Sequence, residues 1–405
     1  MEFFEEFSEI IKPEGGKILL CVLDGVGGIP YKNGQTELES ARTPNLDKLA
    51  KESSKGLLYP VFPGVTPGSG PGHLALFGYD PRKRFIKRGI MEAIGVGVDI
   101  EKKDIAARGN YATVEYKGAS VVVKDRRAGR ITTEENKRLS NLLSKVKKIG
   151  DTKIFVYPVK EHRLCVVFKG PGLYDNVSDT DPQKENREPL EPKNLDRKSK
   201  KMSKIAEEFI HMSGNILRSE EKANYILLRG FSSYPNIPSF QEVWKIKAGA
   251  IAVYPMYKGI TKILGFDVLN LPSDSIKDEV NLLSENSSKY DFFYFHFKKT
   301  DSAGEDGDFD RKVAAVEEFD AVLPDILNIG FDVVCITADH STPSLMKSHS
   351  FHPVPVVINS KVSFRDGEGR FTERDCGRGI LGRLMAQELM PILFAHSGRL
   401  EKYGA

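Results

Sequence analysis

Cysteine is scarce in this chain of 405 residues. The four present, Cys21, Cys165, Cys335 and Cys376, lie far apart with no Cys-x-x-Cys pair. That spacing excludes a dense disulfide framework and suits a reducing compartment. Cys21 and Cys335 sit inside apolar runs, where a thiol behaves as a small core residue. Long apolar runs are missing as well, and none approaches the roughly 18 residues of a membrane span. The N-terminus, MEFFEEFSEIIKPEGG, is acidic and amphipathic, without the basic and then apolar segments of a secretory signal. The expectation is a cytoplasmic protein with no membrane partner. Charge of one sign is also lacking: 59 Lys+Arg stand against 56 Asp+Glu, for a formal net charge of +3. A nucleic-acid binder more often carries a strongly basic face, so no nucleic-acid partner is expected. With 40% hydrophobic and 28% charged residues, a disordered, collagen-like or polytopic membrane chain is excluded. The length suits two domains or one large one.

What is present is a set of apolar runs that end in acids. KILLCVL (17–23) runs into Asp24, FFYFHF (292–297) is followed by Asp301, and DVVCIT (332–337) leads to Asp339 and His340. A fourth run, VPVVI (354–358), follows His349. Short unbroken apolar runs suit parallel strands buried on both faces. Thr43-Pro44 opens a helix, and 309–328 carries helical spacing, with a kink or restart expected at Pro324. The middle of the chain reads differently. Residues 110–124, 153–157 and 163–168 alternate like exposed antiparallel strands, 132–148 and 202–219 read as helices, and 179–201 as a long polar loop. The fold class expected is α/β, a mostly parallel sheet flanked by helices, with a smaller α+β domain inserted. The sheet domain would comprise 1–98 and 245–405, and the insert 99–244.

Ligands of an open parallel sheet bind beyond the carboxyl ends of its strands. Any one strand-end acid reads as a cap or turn residue. Asp24, Asp301, Asp339 and His340 together read as a site. Converging carboxylates repel one another and raise their own pKa values unless cations intervene, so a pair of divalent metals is the economical account. TPGSGPGHLALFGYD (66–80) adds a serine, Ser69, between glycines at the start of a helix. There backbone N–H groups and the dipole favour a phosphate; the alternative is a Gly/Pro turn capped by the serine. No P-loop motif occurs, Pro30 breaks the GVGGIP dinucleotide pattern, and Ala303 and Asp306 break an EF-hand reading of DSAGEDGD.

LDGVGG, TPNLDKLA, SGPGHLALFGYDP, DRRAGRI, SDTDP, KKTDSAGEDGD and TADHSTP, in this order from about residue 15 to 360, resemble the archaeal-type, cofactor-independent phosphoglycerate mutases of the alkaline phosphatase superfamily. The resemblance implies an alkaline-phosphatase-like fold and interconversion of 3- and 2-phosphoglycerate, with no need for 2,3-bisphosphoglycerate. Ser69 matches the nucleophile that becomes phosphoserine. Asp24, Ser69, Asp339 and His340 match the ligands of one metal, and Asp301 and His349 those of the other. The remaining ligand position, usually histidine, is Glu305 here, a swap that favours harder ions. The implied cofactors are two divalent ions, manganese first, with magnesium, zinc or cobalt as other choices. His352 is a nearby substitute for that ligand or a bystander.

A metal-bound serine has a depressed pKa and attacks phosphate in line. The glycerate then has to be held away from water until its 2-hydroxyl takes the phosphoryl group back, which is work for a closing second domain. Cations for the anionic substrate are expected in the insert: Arg108, the Asp125-Arg126-Arg127 cluster with Arg130, His162-Arg163 and Arg229, with Lys258 near the return to the sheet. A phosphatase or phosphodiesterase of the same superfamily is the competing reading. The sequence leaves the oligomeric state, monomer or homo-oligomer, open.

Overall fold

The computed structural model describes residues 2–118 and 120–404. The chain forms two compact units, one from residues 2–85, 237–254 and 264–404, the other from 86–236 and 255–263.

The first unit is built on an eight-stranded sheet. Its order is Asp267–Val268, Ala248–Ile251, Phe292–Phe297, Ile18–Leu23, Val333–Thr337, Val354–Ser360, Ser54–Tyr59 and Gly382–Met385. The strands run parallel from the first edge as far as Val333–Thr337. Ile18–Leu23 lies in the interior of the sheet, and every one of its residues is buried. That is why it reads as an unbroken apolar run rather than an alternation. Val354–Ser360 departs from the expectation: it pairs antiparallel with both neighbours. A short apolar run reports burial on both faces, not direction. Ser54–Tyr59, Ala248–Ile251, Asp267–Val268 and Gly382–Met385 escaped the sequence reading because small residues or brevity hide their pattern.

Register carries the consequence for function. Leu23 lies opposite Phe297, and Val22 opposite Thr337. Asp24 and the segments 298–301 and 338–340 therefore leave the sheet at one level and one end.

The helix Phe309–Asn328 continues through Pro324 without a restart. Proline removes the N–H that the Asp320 carbonyl would otherwise receive. Here that carbonyl accepts from Asn45 Nδ2 at 3.0 Å, so the loss is made good. The Asp320 carboxylate meanwhile accepts from Leu46 N at 2.7 Å and Asn45 N at 3.3 Å, at the positive end of the helix Pro44–Lys51.

The second unit holds an antiparallel sheet ordered Ser120–Asp125, Ile105–Lys117, Arg163–Lys169, Thr152–Pro158 and Lys148–Ile149, with Tyr225–Ser232 also paired to Ile105–Lys117. Residues 110–124 form antiparallel strands, as expected, and most of the described residues from 115 to 124 are exposed or half-buried, but the first part of this stretch is buried. Ile105–Lys117 is buried along most of its length because strands pair on both of its sides. Ile105, Ala107 and Tyr111 join Leu164, Val166, Phe168, Ile226 and Leu228 in one core. Two helices cover it, Thr133–Leu143 and Lys200–Leu217. The opposite face carries Ala106, Arg108, Asn110 and Ala112.

The unit boundaries fall elsewhere than 98/99 and 244/245. Arg88–Gly95 packs on Ile105–Lys117 and on Pro255–Ile263, so both helices belong with the second unit. The contact is close: a Cβ on Gly259 would meet the Met91 carbonyl oxygen at 1.7 Å. Phe240–Trp244 belongs with the first unit, where Trp244 donates to the Phe77 carbonyl and packs at a tilt against the Phe394 ring. No helix among the described residues is long and apolar enough to cross a membrane.

Candidate active site

Ser69 is the first residue of the helix Ser69–Leu76, and Gly68 is its N-cap with no side-chain hydrogen bond. The serine is therefore not acting as a cap. Its hydroxyl lies 3.2 Å from His340 Nε2 instead. Glycine at position 72 lets this helix end press against the strand-end loop, since a Cβ there would sit 2.4 Å from the Asp339 carbonyl oxygen.

The proton positions follow from the donor inventory. Thr342 Oγ1 has one hydrogen and donates it to Asp301 Oδ1 at 2.7 Å. His340 Nδ1, 2.9 Å from the same hydroxyl, must then be the donor in that contact. This leaves Nε2 of neutral His340 without a hydrogen, its lone pair the acceptor for the Ser69 hydroxyl. Nε2 also faces Asp339 Oδ2 at 3.1 Å and Asp24 Oδ1 at 3.4 Å. Both oxygens are buried and make no hydrogen bond. His349 is fixed the same way. Its Nδ1 donates to the Pro67 carbonyl at 2.9 Å, which turns Nε2 towards Asp301 Oδ1, 3.7 Å away. The rings of His340 and His349 stack with centroids 3.5 Å apart.

Acceptors facing acceptors without a proton between them call for a cation. Two groups have metal-binding geometry: Asp24, Asp339 and His340, and Asp301, His340 and His349. The unprotonated Nε2 assigns His340 to the first, with Ser69 alongside; Asp301 and His349 remain for the second. The residues fit two divalent ions.

Two buried carboxylates share the Lys298 ammonium, whose Nζ is 3.0 Å from Asp24 Oδ2 and 2.5 Å from Asp301 Oδ2. Burial works against ionising Asp24, yet Lys298, then His296 and His340, hold its carboxyl well below the usual range. Asp301 is likewise lowered, Lys298 outweighing the cost of burial. Burial lowers the pKa of His340 against the pull of Asp339, in keeping with a neutral ring.

Glu305, half-buried one helical turn beyond Asp301, belongs to neither group. His352 is also outside them, its Nδ1 3.1 Å from Ser350 Oγ and its ring stacked on Phe351. The sequence reading missed His73, His296, Lys298 and Thr342. His73 Nδ1 donates to the Ser69 carbonyl at 2.8 Å and lies 3.2 Å from Asp339 Oδ2. His296 Nε2 is 3.0 Å from Asp24 Oδ2. A histidine inside FFYFHF was the available signal, because a buried imidazole in an apolar strand needs a partner.

The second unit has a cationic face of its own. Arg108 stands opposite both Cys165 and Arg229 across the sheet, and Asn110 opposite Arg163. Arg126 makes two hydrogen bonds to Asp181, at 2.7 and 2.6 Å. Arg229 lies 3.4 Å from Asp179 and 3.5 Å from Asp181. Asp125 is turned elsewhere, both oxygens accepting from the N–H groups of Arg127 and Gly129 in the turn that follows. Lys258 is half-buried on the helix Pro255–Ile263. His162 lies at the heart of the arginines. Burial, then Arg163, Arg108, Arg127 and Arg130, push its pKa down to about 3.

A pH dependence follows. The ordinary histidine value is about 6.5, so below it the unfolded chain takes up a proton that folded His162 refuses. Stability is lost as pH falls from 6.5 towards 3, by up to about 5 kcal/mol from this group. Urea unfolding at several pH values across that window is expected to show a shallower acid loss for His162→Asn than for the wild type. Equal slopes would remove the basis for a neutral buried imidazole.

Comparison with known proteins identifies the family. The family profile of the 2,3-bisphosphoglycerate-independent phosphoglycerate mutases matches residues 50–223. A relative from Aquifex aeolicus, described as a probable member, is 52% identical over 403 residues, spanning 98% of this chain and 99% of its own. One from Thermus thermophilus, described alike, is 49% identical over 409 residues and spans 100% of both chains. A solved structure from Pyrococcus horikoshii matches with a TM-score of 0.81 at 32% identity, covering 96% of this chain and 100% of that one. The cofactor-independent phosphoglycerate mutase from Thermoplasma acidophilum gives 0.67 at 28% identity, covering 95% and 100%. At such identity over nearly its whole length, the chain belongs to the family of 2,3-bisphosphoglycerate-independent phosphoglycerate mutases.

Proposed function

We propose that this chain interconverts 3-phosphoglycerate and 2-phosphoglycerate, as a step of glycolysis and gluconeogenesis, through a phosphorylated Ser69. The observation that carries the reading is Ser69 Oγ at a helix N-terminus, 3.2 Å from the unprotonated Nε2 of His340. Asp24, Asp339, His340 and Ser69 would hold one divalent ion, and Asp301 and His349 the other, manganese being the first choice among magnesium, zinc and cobalt. Such ions supply the positive charge that makes a serine hydroxyl acidic and offsets charge on the phosphate oxygens.

Ser69 Oγ attacks phosphorus in line; the Oγ–P bond forms as the bond from phosphorus to the 3-oxygen of glycerate breaks. The N–H groups at the start of Ser69–Leu76 point towards that phosphate and take up developing charge. The departing 3-oxygen gains a proton, and the 2-hydroxyl later gives one up as it takes the phosphoryl group back, so the two half-reactions balance. Arg108, Arg127, Arg130, Arg163 and Arg229 are assigned to the anionic groups of the substrate, where planar guanidinium groups bind carboxylate and phosphate in pairs of hydrogen bonds. Neutral His162 among them supplies a hydrogen-bonding nitrogen without further charge. Asp179 and Asp181 keep Arg126 and Arg229 in place. No 2,3-bisphosphoglycerate is required, because the serine itself stores the phosphoryl group. Four buried free thiols support a reducing, cytoplasmic setting.

The competing activity is hydrolysis, in which glycerate leaves and water takes the phosphoryl group. Incubation with 3-phosphoglycerate and manganese separates the two. The expected product is 2-phosphoglycerate with little free phosphate, and stoichiometric phosphate release would mean a phosphatase.

A further inference from the structure

Lys312 is a fully buried lysine in the helix Phe309–Asn328 that the proposed chemistry does not use. Its Nζ donates to the Gly27 carbonyl at 3.0 Å and to the Thr342 carbonyl at 2.8 Å. Gly27 lies three residues past Asp24, and Thr342 two past His340. These two loops are already joined along their backbones. Thr342 N donates to the carbonyls of Gly25 and Gly27, both at 3.1 Å, and Gly25 N donates to Asp339 Oδ1 at 3.3 Å. Lys312 closes the far side of that junction. Glu37 supplies the countercharge: its Oε1 is 3.8 Å from Lys312 Nζ and accepts from Ser344 N and Oγ at 2.8 and 2.6 Å.

A buried ion pair is a poor source of stability, since apolar residues of similar volume often do as well or better. Its geometry here has a different use. The two carbonyls it ties together belong to the chain segments whose spacing sets the distance between Asp24 and the His340–Asp339 pair. Thr342, held at its backbone, in turn orients the imidazole of His340 and the carboxylate of Asp301 through its hydroxyl.

We infer that Lys312 is a positioning residue that locks the Asp24 and His340 loops at metal-binding separation, so that divalent-ion affinity depends on it. The inference rests on the assignment of Asp24, Asp339 and His340 to a metal. Removing a residue that orients ligands weakens metal binding by about 10–100-fold, and that is the change expected for manganese on Lys312→Met. The test is titration calorimetry of manganese into protein stripped with chelator, together with amide exchange over residues 24–28 and 338–344. The double variant Lys312→Met/Glu37→Gln, which leaves no lone buried carboxylate, serves if the single one does not fold. Weaker manganese binding with faster exchange confined to those two loops supports the inference. Wild-type affinity and wild-type exchange in the variant overturn it. Should the wild type bind no manganese, the metal assignment fails. Unchanged exchange in the metal-free variant overturns the brace separately.

Discussion

Ser69→Ala is expected to lower kcat by about 10⁴-fold or more, the scale on which loss of a nucleophile falls in enzymes that form a covalent intermediate. The substitution deletes one hydroxyl that hydrogen-bonds to His340 Nε2. Loss of a single hydrogen bond costs about 1 kcal/mol, so the variant folds and its unfolding midpoint stays near that of the wild type. The cationic face of the second unit is untouched, and KM for 3-phosphoglycerate should therefore change far less than kcat. Mass spectrometry after acid quench adds a direct readout. Wild-type protein incubated with 3-phosphoglycerate should carry one phosphoryl group on the peptide containing Ser69, and the variant none. Activity close to that of the wild type, or a phosphoryl group found on another residue, would falsify the serine mechanism.

His340→Ala should strike the metal centre as a whole. The ring gives Nε2 to the Asp24–Asp339 group, stacks on His349, and fixes Thr342, which holds Asp301. Without it, Asp24 Oδ1 and Asp339 Oδ2 face each other across a space with no nitrogen to share a cation. Manganese bound per chain is expected to fall below the wild-type value, and activity by about 10³-fold or more, as for loss of a preorganised charge-stabilising group. Glu305→Gln provides the contrast. Because the Glu305 carboxylate lies outside both ligand groups, the manganese stoichiometry should be retained. Measured by dialysis and atomic emission, the reverse pattern, metal lost with Glu305 and kept without His340, would put the centre in the wrong place.

The residues that sequence made legible share a physical reason. Asp24, Asp301, Asp339 and His340 follow, within four residues, strands so uniformly buried that the polar residues after each one mark the sheet's end. Ser69 was legible because glycines surround it. The residues that stayed hidden act through distant partners. His296 sits in a strand whose period gives no hint of Asp24 beside it. Lys298 reads as one of two adjacent lysines, yet it alone bridges two acids. Asp125 read as part of a cationic cluster, whereas its carboxylate closes the local turn. Pro324 read as a kink or restart because nothing near it in sequence announces Asn45 as the donor that satisfies the Asp320 carbonyl. The extent of each unit was hidden for a related reason: which unit a helix joins depends on what it packs against, and Arg88–Gly95 chooses partners that lie later in the chain.

The pairing of Ile18–Leu23 with Phe292–Phe297 on one side and Val333–Thr337 on the other has a consequence for biosynthesis. This apolar strand has no sheet partner until roughly 270 residues more have left the ribosome. At roughly 5–20 residues per second, that wait lasts tens of seconds. The second unit, complete by Ile263, has all its strands available first and can fold in the interval. The segment ILLCVL meanwhile needs shelter from aggregation, and a truncation that removes both Phe292–Phe297 and Val333–Thr337 leaves it permanently without a neighbour.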